Sequence, residues 1–141
     1  MNNIYQSATI DLLRHGTIAG DAGLYGHTDI PVTEAGQQQM LQSVNIDLQY
    51  QQVISSPLQR CLRFAKDYSR RQALSLKVEP LIQEMNFGVW DGQTFDQLQS
   101  CWADLEQFWQ SPATVTPPDG ESLPAFHARV TQFWPQLLQQ C

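Results

Sequence analysis

Apolar residues along this chain fall into short runs and helical stripes separated by polar, Gly-rich or Pro-rich connections. The first run, ATIDLL at 8–13, predicts a short strand broken by Asp11. The Gly-rich stretch HGTIAGDAGLYGHTDIPV follows. A connection of that length inside a compact domain is usually functional. Thr33 stands where a helix N-cap is expected, ahead of EAGQQQMLQSV, which puts Met40, Leu41 and Val44 on one face. QVISS at 52–56 predicts a second strand. Ser56 is placed to cap the next helix, with Pro57 at its first position. Leu58, Cys61, Leu62 and Ala65 recur at i, i+3, i+4 and i+7, an apolar stripe on that helix. LSLKV at 74–78 alternates and predicts a third strand.

The order strand, helix, strand, helix, strand favours a parallel α/β sheet. A loop, EPLIQEMNFGVWDGQTFDQL, comes next. It leads to a helical stretch with Trp102, Leu105, Phe108 and Trp109, then to the Pro-rich connection SPATVTPPDGES. Ser122 starts a last helix whose apolar residues are Leu123, Phe126, Val130, Phe133, Trp134, Leu137 and Leu138. Pro135 should kink that helix or begin a new segment. There is no repeat, low-complexity tract or second domain in this pattern.

A length of 141 residues and 42% hydrophobic content fit one globular domain, residues 1–141. No apolar run approaches the roughly 18 residues of a membrane span, and the N-terminus lacks a secretory pattern. These readings predict a cytoplasmic protein with no membrane partner. Cys61, Cys101 and Cys141 form no CxxC pair and no metal-ligand cluster, which predicts reduced thiols and no metal. The net charge of −6 argues against nucleic acid as a partner. It leaves room for a small anion in a locally basic pocket, and six of the eight basic residues are arginines. Arginine is the residue suited to forked contacts with phosphate.

Arg14, His15 and Gly16 follow the first predicted strand at once, and ligands of parallel sheets bind beyond the carboxyl ends of strands. Arg14 offers several fixed donors to phosphate oxygens. A neutral His15 imidazole is a nucleophile near pH 7. Gly16 lets the chain turn sharply and lets a ligand approach the backbone. Arg60 falls in the first turn of a helix, where free N–H groups already favour an anion. Arg63, one turn on, reads as a surface residue. Glu84, if partly shielded by Met85, Phe87 and Trp90, would keep its proton near neutral pH and serve as a general acid, with Asp91 a competitor for that role. Each feature alone also fits a plainer reading: a solvated Arg beside a hydrogen-bonded His, an exposed Arg60, a solvated loop carboxylate.

Taken together, LLRHG, DIPVTEAG, VISSPLQRCLRFA, LIQEMNFGVWDGQT and PPDGESLPAFHARV come in the order and spacing of the histidine phosphatase superfamily, and from about residue 8 to 138 the chain resembles it. GLYGHTDIPVTEAG and GESLPAFHARV look most like α-ribazole phosphatases of cobalamin assembly. The resemblance implies a three-layer α/β/α sandwich with a mainly parallel sheet, of phosphoglycerate mutase-like type. It implies a phosphomonoester hydrolase that uses no metal or other cofactor. His15 would attack phosphorus and become phosphohistidine, and Glu84 would protonate the leaving alcohol and then activate water. Arg14 and Arg60 would bind the phosphate, and Thr17, Tyr25 and His27 would lie on the substrate side. Two other readings stand beside this one. The first is a non-catalytic phosphate- or partner-binding relic. The second is a phosphoglycerate mutase, for which the expected long insert after Glu84 is missing.

The chain departs from the family pattern at two places. The family reads Glu and Thr after RHG, where this chain has Thr17 and Ile18. Asp21 is the nearest counterpart of a phosphate-contacting Asn, and its charge is of the wrong sign. The family's second histidine, its strand and the closing helix are not found before Cys141. His127 lies in the last predicted helix and is no substitute. The expectation is therefore a C-terminally incomplete domain, with an exposed strand edge and apolar helix surface. A fragment, a homodimer in which another copy fills the gap, or a binding relic would each account for it.

Overall fold

Two of the three expected strands form, as a parallel pair, in the computed structural model, which describes residues 9–44 and 47–139. In chain order the elements are β1 (Gly23–Leu24), α1 (Glu34–Ser43), β2 (Gln52–Ser55), α2 (Gln59–Gln72), β3 (Ser75–Val78), β4 (Gln93–Thr94), α3 (Trp102–Gln110) and α4 (Leu123–Leu138). Single 3-10 turns occupy Pro80–Ile82, Gly88–Trp90 and Gln97–Cys101. β2 and β3 run parallel from Gln52 opposite Ser75 to Ser55 opposite Val78, with α2 as the crossover. β1 and β4 form a short antiparallel pair that fastens the Gly-rich loop to the segment after Glu84.

The expected strand at 8–13 does not form among the described residues 9–13; Ala8 lies outside them, as does Cys141. A strand exists through its ladder, and no described segment pairs with this one. Its side chains show it: Leu12 is 84% exposed, and Ile10 and Leu13 are each 39% exposed.

Capping follows the sequence in two helices and departs from it in the third. The Thr33 hydroxyl accepts from the Gly36 amide at 2.9 Å, and Ser122 accepts from Ala125 at 3.2 Å. α2 starts two residues later than Pro57, with Leu58 at the N-cap. Ser56 Oγ still accepts from the Leu58 amide at 3.3 Å, but the capping oxygen for Gln59 comes from the distant Asp29 carboxylate, at 2.7 Å. Pro135 starts no new segment; it lies within α4, which runs on to Leu138. The missing N–H removes one bond, the one that would reach back to the Thr131 carbonyl.

The main apolar cluster consists of Met85, Trp90, Leu98, Leu105 and Phe108, with Leu24, Phe87, Phe95, Val115, Leu123 and Phe126 packed against it. Four elements thus close over the loop that follows Glu84. Leu105 is fully buried. Truncating such a side chain removes transfer energy and leaves a cavity. Leu105→Ala should lower unfolding stability by about 2–5 kcal/mol in a denaturant titration. Leu12→Ala should change it by less than about 0.5 kcal/mol; a large loss there would mean that residues 9–13 are packed in solution.

Candidate active site

The loop that carries His15 is held against the first turn of α1. Gly16 does not adopt a left-handed φ, so a sharp turn is not why glycine stands there. A Cβ at Gly16 would overlap the Gly36 backbone, and a Cβ at Gly36 would overlap that of Thr17. The two glycines let the loop and the helix touch main chain to main chain. Thr17 O accepts from the Thr33 amide at 2.8 Å, and the Thr17 amide and hydroxyl both bond Gln39 Oε1, at 3.1 and 3.0 Å.

His15 is half-buried, with Nδ1 2.9 Å from Gly16 O. A carbonyl oxygen only accepts, so this bond places the imidazole proton on Nδ1. In the neutral ring the lone pair then sits on Nε2. Arg14 is exposed and makes no hydrogen bond or ion pair among the described residues. Arg63 pairs with Glu34 at 3.7 Å, both exposed, as a surface residue would.

Arg60 is on the first turn of α2, as its position predicted, but it is not an exposed residue: only 2% of its surface is accessible. Its Nη2 donates to Tyr25 O at 3.0 Å and Gly26 O at 2.7 Å, and Nη1 donates to Thr28 O at 3.1 Å. The N–H groups of the same loop face Asp91. Its Oδ2 accepts from His27 N at 2.8 Å and Phe87 N at 3.1 Å, and Oδ1 accepts from Thr28 N at 2.8 Å. Burial pushes the Asp91 carboxyl up, but the bonds from the Thr28 side chain and from the Thr28, His27 and Phe87 amides outweigh it and hold it below the ordinary carboxylate value. Asp91 is therefore a latch on the 25–28 loop, which corrects its reading as a second candidate acid. Tyr25 turns its hydroxyl to Asp21 O at 2.9 Å, and His27 is exposed at the loop tip.

Glu84 is exposed, which corrects the expectation of an apolar shield: Met85 and Trp90 face the core instead. The Glu84 carboxylate accepts from the Met85 amide at 2.7 Å. Glu84 and Arg60 meet electrostatically around Cys61. Burial raises that thiol above its usual value, Arg60 lowers it and Glu84 raises it further. Among the described residues no hydrogen bond joins His15 to Arg60 or Glu84. Cys61 and Cys101 are free thiols. Among the described residues no group of three or more potential metal ligands comes together, and no helix is long and apolar enough to cross a membrane.

Two residues at the site had no role in the sequence reading. Arg129 of α4 forks onto Glu121, Nε to Oε1 at 2.9 Å and Nη2 to Oε2 at 2.8 Å. It also donates to the carbonyls of Leu81, Gln83 and Glu84, at 2.9, 2.9 and 3.3 Å. One sequence signal pointed there: no Lys or Arg lies between Lys77 and Arg129, while eight Asp and Glu do. Arg129 is the one guanidinium that ends this acidic stretch.

Comparison with known proteins places this chain in a family. The sequence profile of the histidine phosphatase superfamily (branch 1) matches residues 10–141. An adenosylcobalamin/alpha-ribazole phosphatase of Escherichia coli is 32% identical over 131 residues, covering 86% of this chain and 63% of that protein. A 2,3-bisphosphoglycerate-dependent phosphoglycerate mutase of Bartonella henselae is 29% identical over 140 residues, covering 92% and 66%. The solved structure of a mycobacterial glucosyl-3-phosphoglycerate phosphatase superposes with a TM-score of 0.80 at 26% identity, covering 91% of this chain and 62% of that one. The chain thus has the α/β fold of these proteins and spans less than two thirds of the length of each.

The Arg129 fork, with help from the Asn86 amide, outweighs burial and holds the Glu121 carboxyl below its ordinary value. A carboxyl lowered on folding adds stability that is full above its unfolded value and is lost as pH falls through the folded one. The stability gap between the wild type and Glu121→Gln should therefore be constant near neutrality. It should close as pH drops below about 4.3, as followed by thermal melts across pH. Asp91→Ala should cost about 1.5–3 kcal/mol at neutral pH by denaturant titration.

Proposed function

Because this chain belongs to the histidine phosphatase superfamily, we propose that it is a phosphomonoester hydrolase working through a phosphohistidine at His15. The observation that carries this reading is the Nδ1–H bond to Gly16 O, which leaves Nε2 as the free lone pair. In the first step an Nε2–P bond forms and the bond from phosphorus to the ester oxygen breaks. Glu84 gives its proton to the departing oxygen. In the second step Glu84 takes a proton from water, the new P–O bond forms, the N–P bond breaks and inorganic phosphate leaves. Phosphoryl transfer depends mainly on positioning and on neutralising equatorial oxygens. Arg14 has no hydrogen-bond or ion-pair partner among the described residues, so its donors are available for that work. Arg60 keeps Nε–H and one Nη1–H after its three loop bonds.

The substrate we propose is α-ribazole 5′-phosphate, met in the cytoplasm, with Thr17, Tyr25 and His27 on the substrate side. Similarity to the Escherichia coli phosphatase supports this choice. Mutase chemistry requires water to be kept from the phosphohistidine, and the exposure of Glu84 favours hydrolysis over it. The test is phosphate release from α-ribazole 5′-phosphate, 3-phosphoglycerate, glucosyl-3-phosphoglycerate and p-nitrophenyl phosphate. His15→Ala should abolish release, and Arg14→Ala should lower kcat/KM by about 10²–10³-fold. Mass spectrometry after an alkaline quench should find phosphate on His15. Folded protein that binds phosphate without turnover would overturn the enzymatic reading; equal rates on all four esters would overturn the choice of substrate.

A further inference from the structure

The segment that presents Glu84 is gripped from both sides by one ion pair. Arg129 uses all five of its N–H groups: three on the carbonyls of Leu81, Gln83 and Glu84, and two on Glu121. Glu121 completes the grip beyond Glu84. Its amide donates to Asn86 O at 2.8 Å, and its Oε2 accepts from Asn86 N at 3.3 Å. The Phe126 ring lies under the guanidinium, 5.2 Å from its carbon to the ring centroid, and restrains it further. Main-chain groups on both sides of Glu84 are thus fixed, while its carboxyl stays exposed with one bond to Met85 N.

We propose that Arg129 and Glu121 are positioning residues for Glu84: the fork sets the main chain at 81–86, and so sets where the Glu84 carboxyl delivers its proton. This rests on the hydrolase reading above. The pair touches no reacting atom. It acts because a general acid works only within hydrogen-bond reach of the leaving oxygen. Arginine is required, since lysine cannot span Glu121 and three carbonyls from one planar fork.

The test separates positioning from plain stability by the leaving group. An alkyl phosphate needs a proton on its departing oxygen, whereas p-nitrophenolate leaves without one. The readout is kcat/KM, which reports the first transfer, for the full chain and for Arg129→Met, Arg129→Lys, Glu121→Gln and Glu84→Gln. Arg129→Met should lose about 10²-fold on the alkyl ester and change little on p-nitrophenyl phosphate. Lysine should not restore the loss. Glu121→Gln, which keeps an acceptor, should lose less but in the same pattern, and it serves if the methionine variant fails to fold. Adding Arg129→Met to Glu84→Gln should cost nothing more on the alkyl ester, because both act through one group. Equal losses on both esters, or additive losses in the double variant, would overturn the proposal and leave the hydrolase reading intact. Absence of His15-dependent turnover in the unaltered chain would overturn both.

Discussion

Arg60 is a cation taken almost wholly out of water and surrounded by carbonyl dipoles. Removing a guanidinium from solvent is costly unless its donors are satisfied. The carbonyls of Tyr25, Gly26 and Thr28 satisfy three of them. They solvate the charge without cancelling it, since each is neutral. The same loop gives its opposite poles to Asp91, which accepts the amides of His27 and Thr28. A short irregular segment is therefore held between a cation that takes its oxygens and an anion that takes its nitrogens. Neither side would hold alone: freeing either set would leave partly buried main-chain groups without partners. The β1–β4 pair and the Asp29 bond at the start of α2 extend this frame to its neighbours.

That frame explains how an acidic chain holds a buried guanidinium. A net charge of −6 is a property of the whole surface. At the α2 start the Arg60 guanidinium makes its hydrogen bonds to carbonyls and to no carboxylate, while the Asp29 carboxylate accepts from the neighbouring Gln59 amide. Cys61, one residue on, registers the Arg60 field against that of Glu84. The low-dielectric wall around Arg60 leaves its charge little screened by water.

The parallel pair, the caps at Thr33 and Ser122 and the place of Arg60 in its helix were legible because each depends on local pattern. What was not legible depended on contacts distant in sequence. Arg60 as a buried scaffold required knowing that residues 25–28 fold over it, thirty-odd positions away. Asp91 looked like a loop carboxylate free for chemistry, and only the arrival of three amides made it a latch. Gly16 has the composition signal of a turn, but Gly36 decides its role. The strand expected at 8–13 failed for a related reason. Apolar pattern marks what a segment can do, while a ladder requires a partner, and none pairs with 9–13 among the described residues.

Glu84 shows the division of labour that these contacts produce. Its neighbours on both sides are anchored: Met85 is buried in the core, the carbonyls of 81, 83 and 84 lie on Arg129, and both main-chain groups of Asn86 are taken by Glu121. Only the side chain from Cβ outward is left to move. The role proposed for Glu84, giving a proton in one step and taking one in the next, needs that combination. A rigid root keeps the carboxyl within reach of both oxygens. A solvated tip lets leaving alcohol and attacking water exchange without moving the loop. In the proposed hydrolysis, a buried Glu84 would hold its proton more firmly but would shut out the water that the second step consumes.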